Sequence, residues 1–110
     1  MIYEMRRYEC LPGKIGNLHE LMETLAVPIF ERLGMKVVGC WTPAVGDDEG
    51  TLLYLLGYED MGARQRAWDK FWVDPEWVAG RAKLAAKFGG PIVAKSNSVF
   101  LQPAKYSALK

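Results

Sequence analysis

Thr51-Leu52-Leu53-Tyr54-Leu55-Leu56-Gly57-Tyr58 is, after its threonine, a run of apolar and aromatic side chains interrupted only by glycine, set within a chain of 110 residues. Successive strand residues point to opposite faces, so Leu53 and Leu55 take one face while Leu52, Tyr54 and Leu56 take the other. A strand that is apolar on both faces needs cover on both. The acidic, glycine-flanked stretch Gly46-Asp47-Asp48-Glu49-Gly50 reads as a turn, and the β-rich stretch 35–45 before it completes a predicted hairpin with 51–58.

Upstream, residues 2–10 alternate as Ile2, Glu4, Arg6, Tyr8 against Tyr3, Met5, Arg7, Glu9, which predicts a strand with mixed groups on each face. Leu11-Pro12-Gly13 ends it, because proline gives no ladder hydrogen bond and glycine accepts positive φ. In 14–33, Ile15, Leu18, Met22, Leu25, Ala26, Ile29 and Leu33 recur at helical spacing and predict a core-facing helix. Pro28 inside it predicts a kink or restart near Val27.

Downstream, residues 60–73 and 74–88 both carry helical stripes, Met61, Trp68, Phe71 and Trp72 in one and Trp77, Leu84 and Phe88 in the other. Asp74-Pro75-Glu76 marks the restart between them, combining an oxygen cap, a first-turn proline and a carboxylate at the positive dipole end. Gly89-Gly90-Pro91 closes the helical stretch, and 92–101 predict a last strand. The order is β-α-β-β-α-β, an α+β, ferredoxin-like antiparallel sheet with its helices on one face. The uncovered face of 51–58 then predicts a homodimer in which a second sheet hides it.

Composition bounds the function. Half the residues are hydrophobic and a quarter charged, an ordinary globular balance for one domain. No apolar run reaches the ~18–20 residues of a membrane span, and Glu4, Arg6 and Arg7 stand where a signal peptide would be apolar, so the predicted location is the cytoplasm. Residues 1–60 hold ten acids and five bases and 61–110 three acids and nine bases, giving −5 and +6 and a net +1. No cluster is dense enough to predict a nucleic-acid partner. Cys10 and Cys40 lack metal-ligand spacing and an activating base, and no metal or cofactor is expected.

The opening Ile2-Tyr3-Glu4-Met5-Arg6-Arg7-Tyr8 with Pro12-Gly13-Lys14, then Gly39-x-Trp41, Tyr58 with Ala63-x-x-Arg66, and Asp74-Pro75-Glu76-Trp77, resembles the NIPSNAP family. The resemblance runs from residue 2 to about 102, leaving 103–110 as a C-terminal tail. It implies the dimeric α+β barrel, in which two subunits join sheets, and a superfamily that includes cofactor-free monooxygenases, muconolactone-type isomerases, haem-degrading enzymes and small-molecule binders. Family members often carry an Asn in the hairpin turn and a His on the following strand; this chain has the acidic turn and Tyr54.

Several residues are candidates for chemistry. His19 is the lone histidine, with a side chain suited to proton transfer near neutrality, and Glu23 lies four residues on along the same helix. Arg6 and Tyr8 share a sheet face with Glu4, and there Arg6 could hold a ligand carboxylate or enolate while Tyr8 gives a proton; a purely structural hydrogen-bond network is the other reading. Trp41 and Tyr54, with Tyr58, Trp68, Phe71, Trp72 and Trp77, could wall a pocket for a flat apolar or aromatic ligand, or simply fill the core. Three functions stay open. The first is a small-molecule-binding dimer, with Arg6, Tyr8, His19, Trp41 and Tyr54 as ligand contacts. The second is a cofactor-independent monooxygenase or isomerase using His19, Tyr8 or Tyr54 for proton transfer. The third is a structural or interaction module.

Overall fold

The computed structural model describes residues 1–46 and 49–110. Asp47 and Asp48, within the expected acidic turn, lie outside the described residues. Strands β1 (Ile2–Cys10), β2 (Lys36–Trp41), β3 (Thr51–Tyr58) and β4 (Val93–Leu101) form one sheet in the order β2-β3-β1-β4, each neighbour antiparallel. Helical segments α1 (Ile15–Leu21), α2 (Val27–Arg32), α3 (Met61–Val73) and α4 (Pro75–Phe88) complete the expected β-α-β-β-α-β order. The apolar run 51–58 is a central strand, pairing with β1 from Ile2↔Tyr58 to Glu9↔Thr51. Its position fits its composition, since in the centre of the sheet all of its residues but Leu53 are buried.

The helices pack on the face that carries Leu52, Tyr54, Leu56 and Tyr58, where Leu18, Met22, Leu25, Ile29 and Phe30 meet Trp68, Phe71 and Trp77 in the core. Leu53 and Leu55 point the other way, beside Met5 on β1, Val99 and Leu101 on β4 and Trp41 on β2, as the pairing registers require. On that outer face a Cβ on Gly39 would sit 2.5 Å from the Trp41 ring, so a larger residue there would displace the indole. The indole folds over the glycine, yet stays 50% exposed.

The break near Val27 takes the form of a π turn over Met22–Ala26. Pro28 has no N–H to return to the carbonyl four residues back, and the Val27 N–H instead reaches five residues back to Met22. Asp74 holds two elements at the joint between α3 and α4. Its carboxylate accepts from the Trp77 N–H as the α4 cap, and Arg32 Nη2 donates to both of its oxygens at 2.8 Å, tying the end of α2 to the joint. Hydrogen bonding to Arg32 holds the Asp74 carboxyl below its usual range. Gly89, at φ 75°, ends α4 in the left-handed conformation that glycine adopts without strain.

Candidate functional site

Glu4 is a fully buried carboxylate facing the helices, and such a charge persists only where donors replace its water. Four do. Oε1 accepts from the Tyr58 hydroxyl at 2.8 Å and from Arg64 Nε at 3.2 Å, while Oε2 accepts from Arg6 Nη1 at 2.8 Å and Arg64 Nη2 at 3.2 Å. Burial pushes the Glu4 carboxyl up, but the hydrogen bonds from Arg64 and Tyr58 and the charge of Arg6 outweigh it and hold it below the usual range. Trp68 Nε1 donates to the Tyr58 oxygen at 2.9 Å, so that hydroxyl is committed on both sides.

Two residues further along the same face, Arg6 continues the network. Its Nε donates to the Tyr54 hydroxyl at 2.7 Å and its Nη2 to the Tyr8 hydroxyl at 3.1 Å, and its guanidinium lies 4.5 Å from the Trp68 ring centroid. Burial opposes the charge on Arg6, and the surrounding oxygens keep it in place. The two phenols are themselves hydrogen-bonded, 2.8 Å apart.

Proton accounting gives that pair a direction. Tyr54 is 0% exposed, its oxygen receives from Arg6, and the acceptor its own proton can reach is the Tyr8 oxygen. Burial raises the Tyr54 hydroxyl well above its ordinary value and keeps that proton on it. Of the two donor assignments open to the phenol pair, the one that satisfies the buried Tyr54 proton has Tyr8 accept from both Arg6 and Tyr54 and leaves the Tyr8 proton for another acceptor. The Tyr8 side chain lines a cavity.

The cavity measures about 550 Å³ and lies between the sheet and the helices. Arg6, Tyr8 and Tyr54 form its sheet wall; Leu18, Met22, Ala26 and Phe30 line it from the first helical region, with the π turn supplying Met22 and Ala26; Trp68, Phe71, Trp72 and Trp77 close the far side. It opens toward solvent beside Trp72, which is 54% exposed, and beside Arg81 and Ser96. The interior is rich in aromatic rings, with centroid spacings of 4.4 to 6.4 Å among Phe30, Phe71, Trp68, Trp72 and Trp77. Such a chamber accepts a flat apolar body and offers it polar groups at one wall.

Of the residues singled out from sequence, Arg6, Tyr8 and Tyr54 converge here. His19 is exposed on α1 and does not line the cavity, and Trp41 lies on the opposite sheet face. Among the described residues no three His, Cys, Asp or Glu side chains gather as a metal site would need. Burial pushes the Cys10 thiol up, away from the thiolate. Sequence reasoning passed over Arg64 and Arg81. The usable signal for Arg64 was its place one helical turn before Trp68, on the face of α3 that must meet the sheet.

No helix among the described residues is long and apolar enough to cross a membrane. A search of curated proteins finds no match. Among solved structures, the chain is similar to a NIPSNAP family protein from Agrobacterium tumefaciens, with 23% identity, a TM-score of 0.84 and coverage of 99% of this chain and 98% of that one. It is similar also to an uncharacterised NIPSNAP domain protein from Burkholderia xenovorans, with 24% identity, a TM-score of 0.80 and coverage of 97% and 98%. A more distant likeness in fold is to a proposed antibiotic biosynthesis monooxygenase from Nitrosomonas europaea, with 11% identity, a TM-score of 0.65 and coverage of 94% and 98%. The NIPSNAP family profile matches residues 3–108, nearly the whole chain, and the protein belongs to the NIPSNAP family.

Proposed function

We propose that this protein is a homodimeric small-molecule-binding protein that takes a flat, largely apolar ligand into the cavity between its sheet and its helices. The observation that carries the reading is the contrast within that cavity: about 550 Å³ walled by Phe30, Phe71 and three tryptophans, with the Tyr8 hydroxyl and the Arg6 guanidinium at one side. A volume of this size against a few convergent polar groups suits a drug-sized organic molecule better than water alone. Dimerisation is supported by the outer sheet face, where Trp41, Val99 and Leu101 are exposed beside Met5 and Leu53 while the helices pack on the other side.

The test uses the neutral aromatic probe N-phenyl-1-naphthylamine, read through quenching of the tryptophans that line the cavity. Ser96 sits exposed at the cavity opening, so Ser96→Trp plugs the entrance without crowding the core. Saturable binding to the unaltered protein, lost in Ser96→Trp at an unchanged thermal midpoint, is the expected result. Absence of saturable binding, or binding indifferent to the plug, overturns the reading.

A second reading, a cofactor-independent isomerase or oxygenase, is favoured by one observation, the Tyr8 hydroxyl hydrogen-bonded to the Arg6 guanidinium at the cavity wall. That arrangement suits proton donation to an enolate whose negative oxygen Arg6 stabilises.

A further inference from the structure

The charges around the cavity do not balance. Glu4 is one carboxylate held by two guanidiniums, those of Arg6 and Arg64, which leaves one surplus positive charge in the buried network. Arg81, on α4, stands at the cavity opening and has no hydrogen bond or ion pair among the described residues. Among those residues, no carboxylate lines the cavity. Two other arginines of the helical layer are engaged instead, Arg32 by Asp74 and Glu76 and Arg64 by Glu4.

Two cationic groups thus face one apolar chamber, Arg6 from its sheet wall and Arg81 from its rim, together with the Tyr8 hydroxyl. Each is a complement to negative charge or to a strong acceptor oxygen, and the aromatic walls set what the rest of the ligand must be. Resting on the binding function proposed above, we propose that the ligand is an aromatic anion, a carboxylate or enolate on a flat ring system, with its oxygen received by Tyr8 over Arg6 and its charge drawn in and retained by Arg81. Arg81 would then be the residue that makes the site select an anion from neutral molecules of the same shape. Placing it at the rim also fits a steering role, because a guanidinium in view of solvent acts on a charged ligand before it is enclosed.

The test compares 2-naphthoate with its neutral isostere 2-naphthamide by tryptophan quenching at low ionic strength, in the unaltered protein and in Arg81→Gln and Arg81→Lys. The naphthoate is expected to bind about 10-fold more tightly than the amide, with Arg81→Gln removing most of that preference and Arg81→Lys, which keeps the charge, retaining it. Amide affinity is expected to change less than about twofold in both variants, since a rim charge contributes little to a neutral ligand. Equal binding of acid and amide overturns the anion assignment and leaves the cavity reading standing. A preference that survives Arg81→Gln overturns the role of Arg81. Binding of neither molecule overturns the inference together with the reading on which it rests.

Discussion

The guanidinium of Arg64, on α3, closes on both carboxylate oxygens of Glu4, on β1, at 3.2 Å each. The contact links residues 60 positions apart and fixes α3 against the sheet edge of the cavity, so Trp68, one turn later, stands over Arg6. Polar bonds thus join packing in placing the aromatic wall, since Trp68 also donates to Tyr58, itself bonded to the buried carboxylate.

Removing that carboxylate leaves two guanidiniums facing each other without an anion. Glu4→Ala is expected to lower unfolding free energy by about 3–5 kcal/mol, the range for breaking one side of a buried ion pair, measured by urea denaturation. Because the Glu4 carboxyl titrates below its ordinary value of 4.5, its stabilising share is complete above that value and is lost as pH falls through the lower folded value. Thermal midpoints measured from about pH 6 to about pH 2.5 are expected to fall steeply for the unaltered protein and less steeply for Glu4→Gln. Parallel curves would remove Glu4 as the source of acid sensitivity.

At the alkaline end the sign reverses. Tyr54 and Tyr58 are both raised above their ordinary value of 10.0 by burial, so the folded state holds their protons and favours folding below that value, an advantage that drains as pH rises beyond it. Stability is expected to decline from about pH 10 upward. Followed by ultraviolet absorbance, part of the tyrosinate signal should appear together with loss of the circular dichroism of the fold. Full tyrosinate absorbance in a still folded protein would show these hydroxyls to be accessible.

The outer sheet face gives a separate expectation. Val99 is 53% exposed there, across the ladder from Met5, on the face opposite the cavity network. In a sheet-to-sheet dimer Val99→Lys buries an unpaired ammonium in each subunit, and the dimer is expected to weaken by about 2 kcal/mol or more, roughly 30-fold in its dissociation constant. Native mass spectrometry across a dilution series reads this directly: dimer for the unaltered protein at micromolar concentration and monomer for the variant. Monomer in both would refute the dimer.

The legible parts of this protein were those written in short-range pattern. The two-faced strand 51–58, the Asp74-Pro75-Glu76 restart and the glycine stop at Gly89 each rest on local stereochemistry, and each appears where the pattern puts it. Arg6 and Tyr8 were legible as a pair because alternation alone places them on one face. Arg81 was not, and Arg64 only through its spacing from Trp68, since which arginine of a helix turns inward depends largely on the angle at which α3 and α4 cross the sheet. His19 drew notice through its chemistry alone. The π turn that follows at Met22 was foreshadowed by Pro28, but the proline indicates a break and leaves its form open.

The Tyr8–Tyr54 pair allows the proton accounting at the heart of the site to be tested without a ligand. Tyr8→Phe strips the acceptor from the buried Tyr54 proton, whereas Tyr54→Phe leaves Arg6 Nε without its partner. Each single change is expected to cost about 1–3 kcal/mol, the penalty for one buried group left unpaired. The double change removes both ends of the phenol–phenol bond, so its cost should fall short of the sum by about 1 kcal/mol or more. A double-mutant cycle by urea unfolding measures that coupling. Simple additivity would mean that the two hydroxyls do not depend on each other.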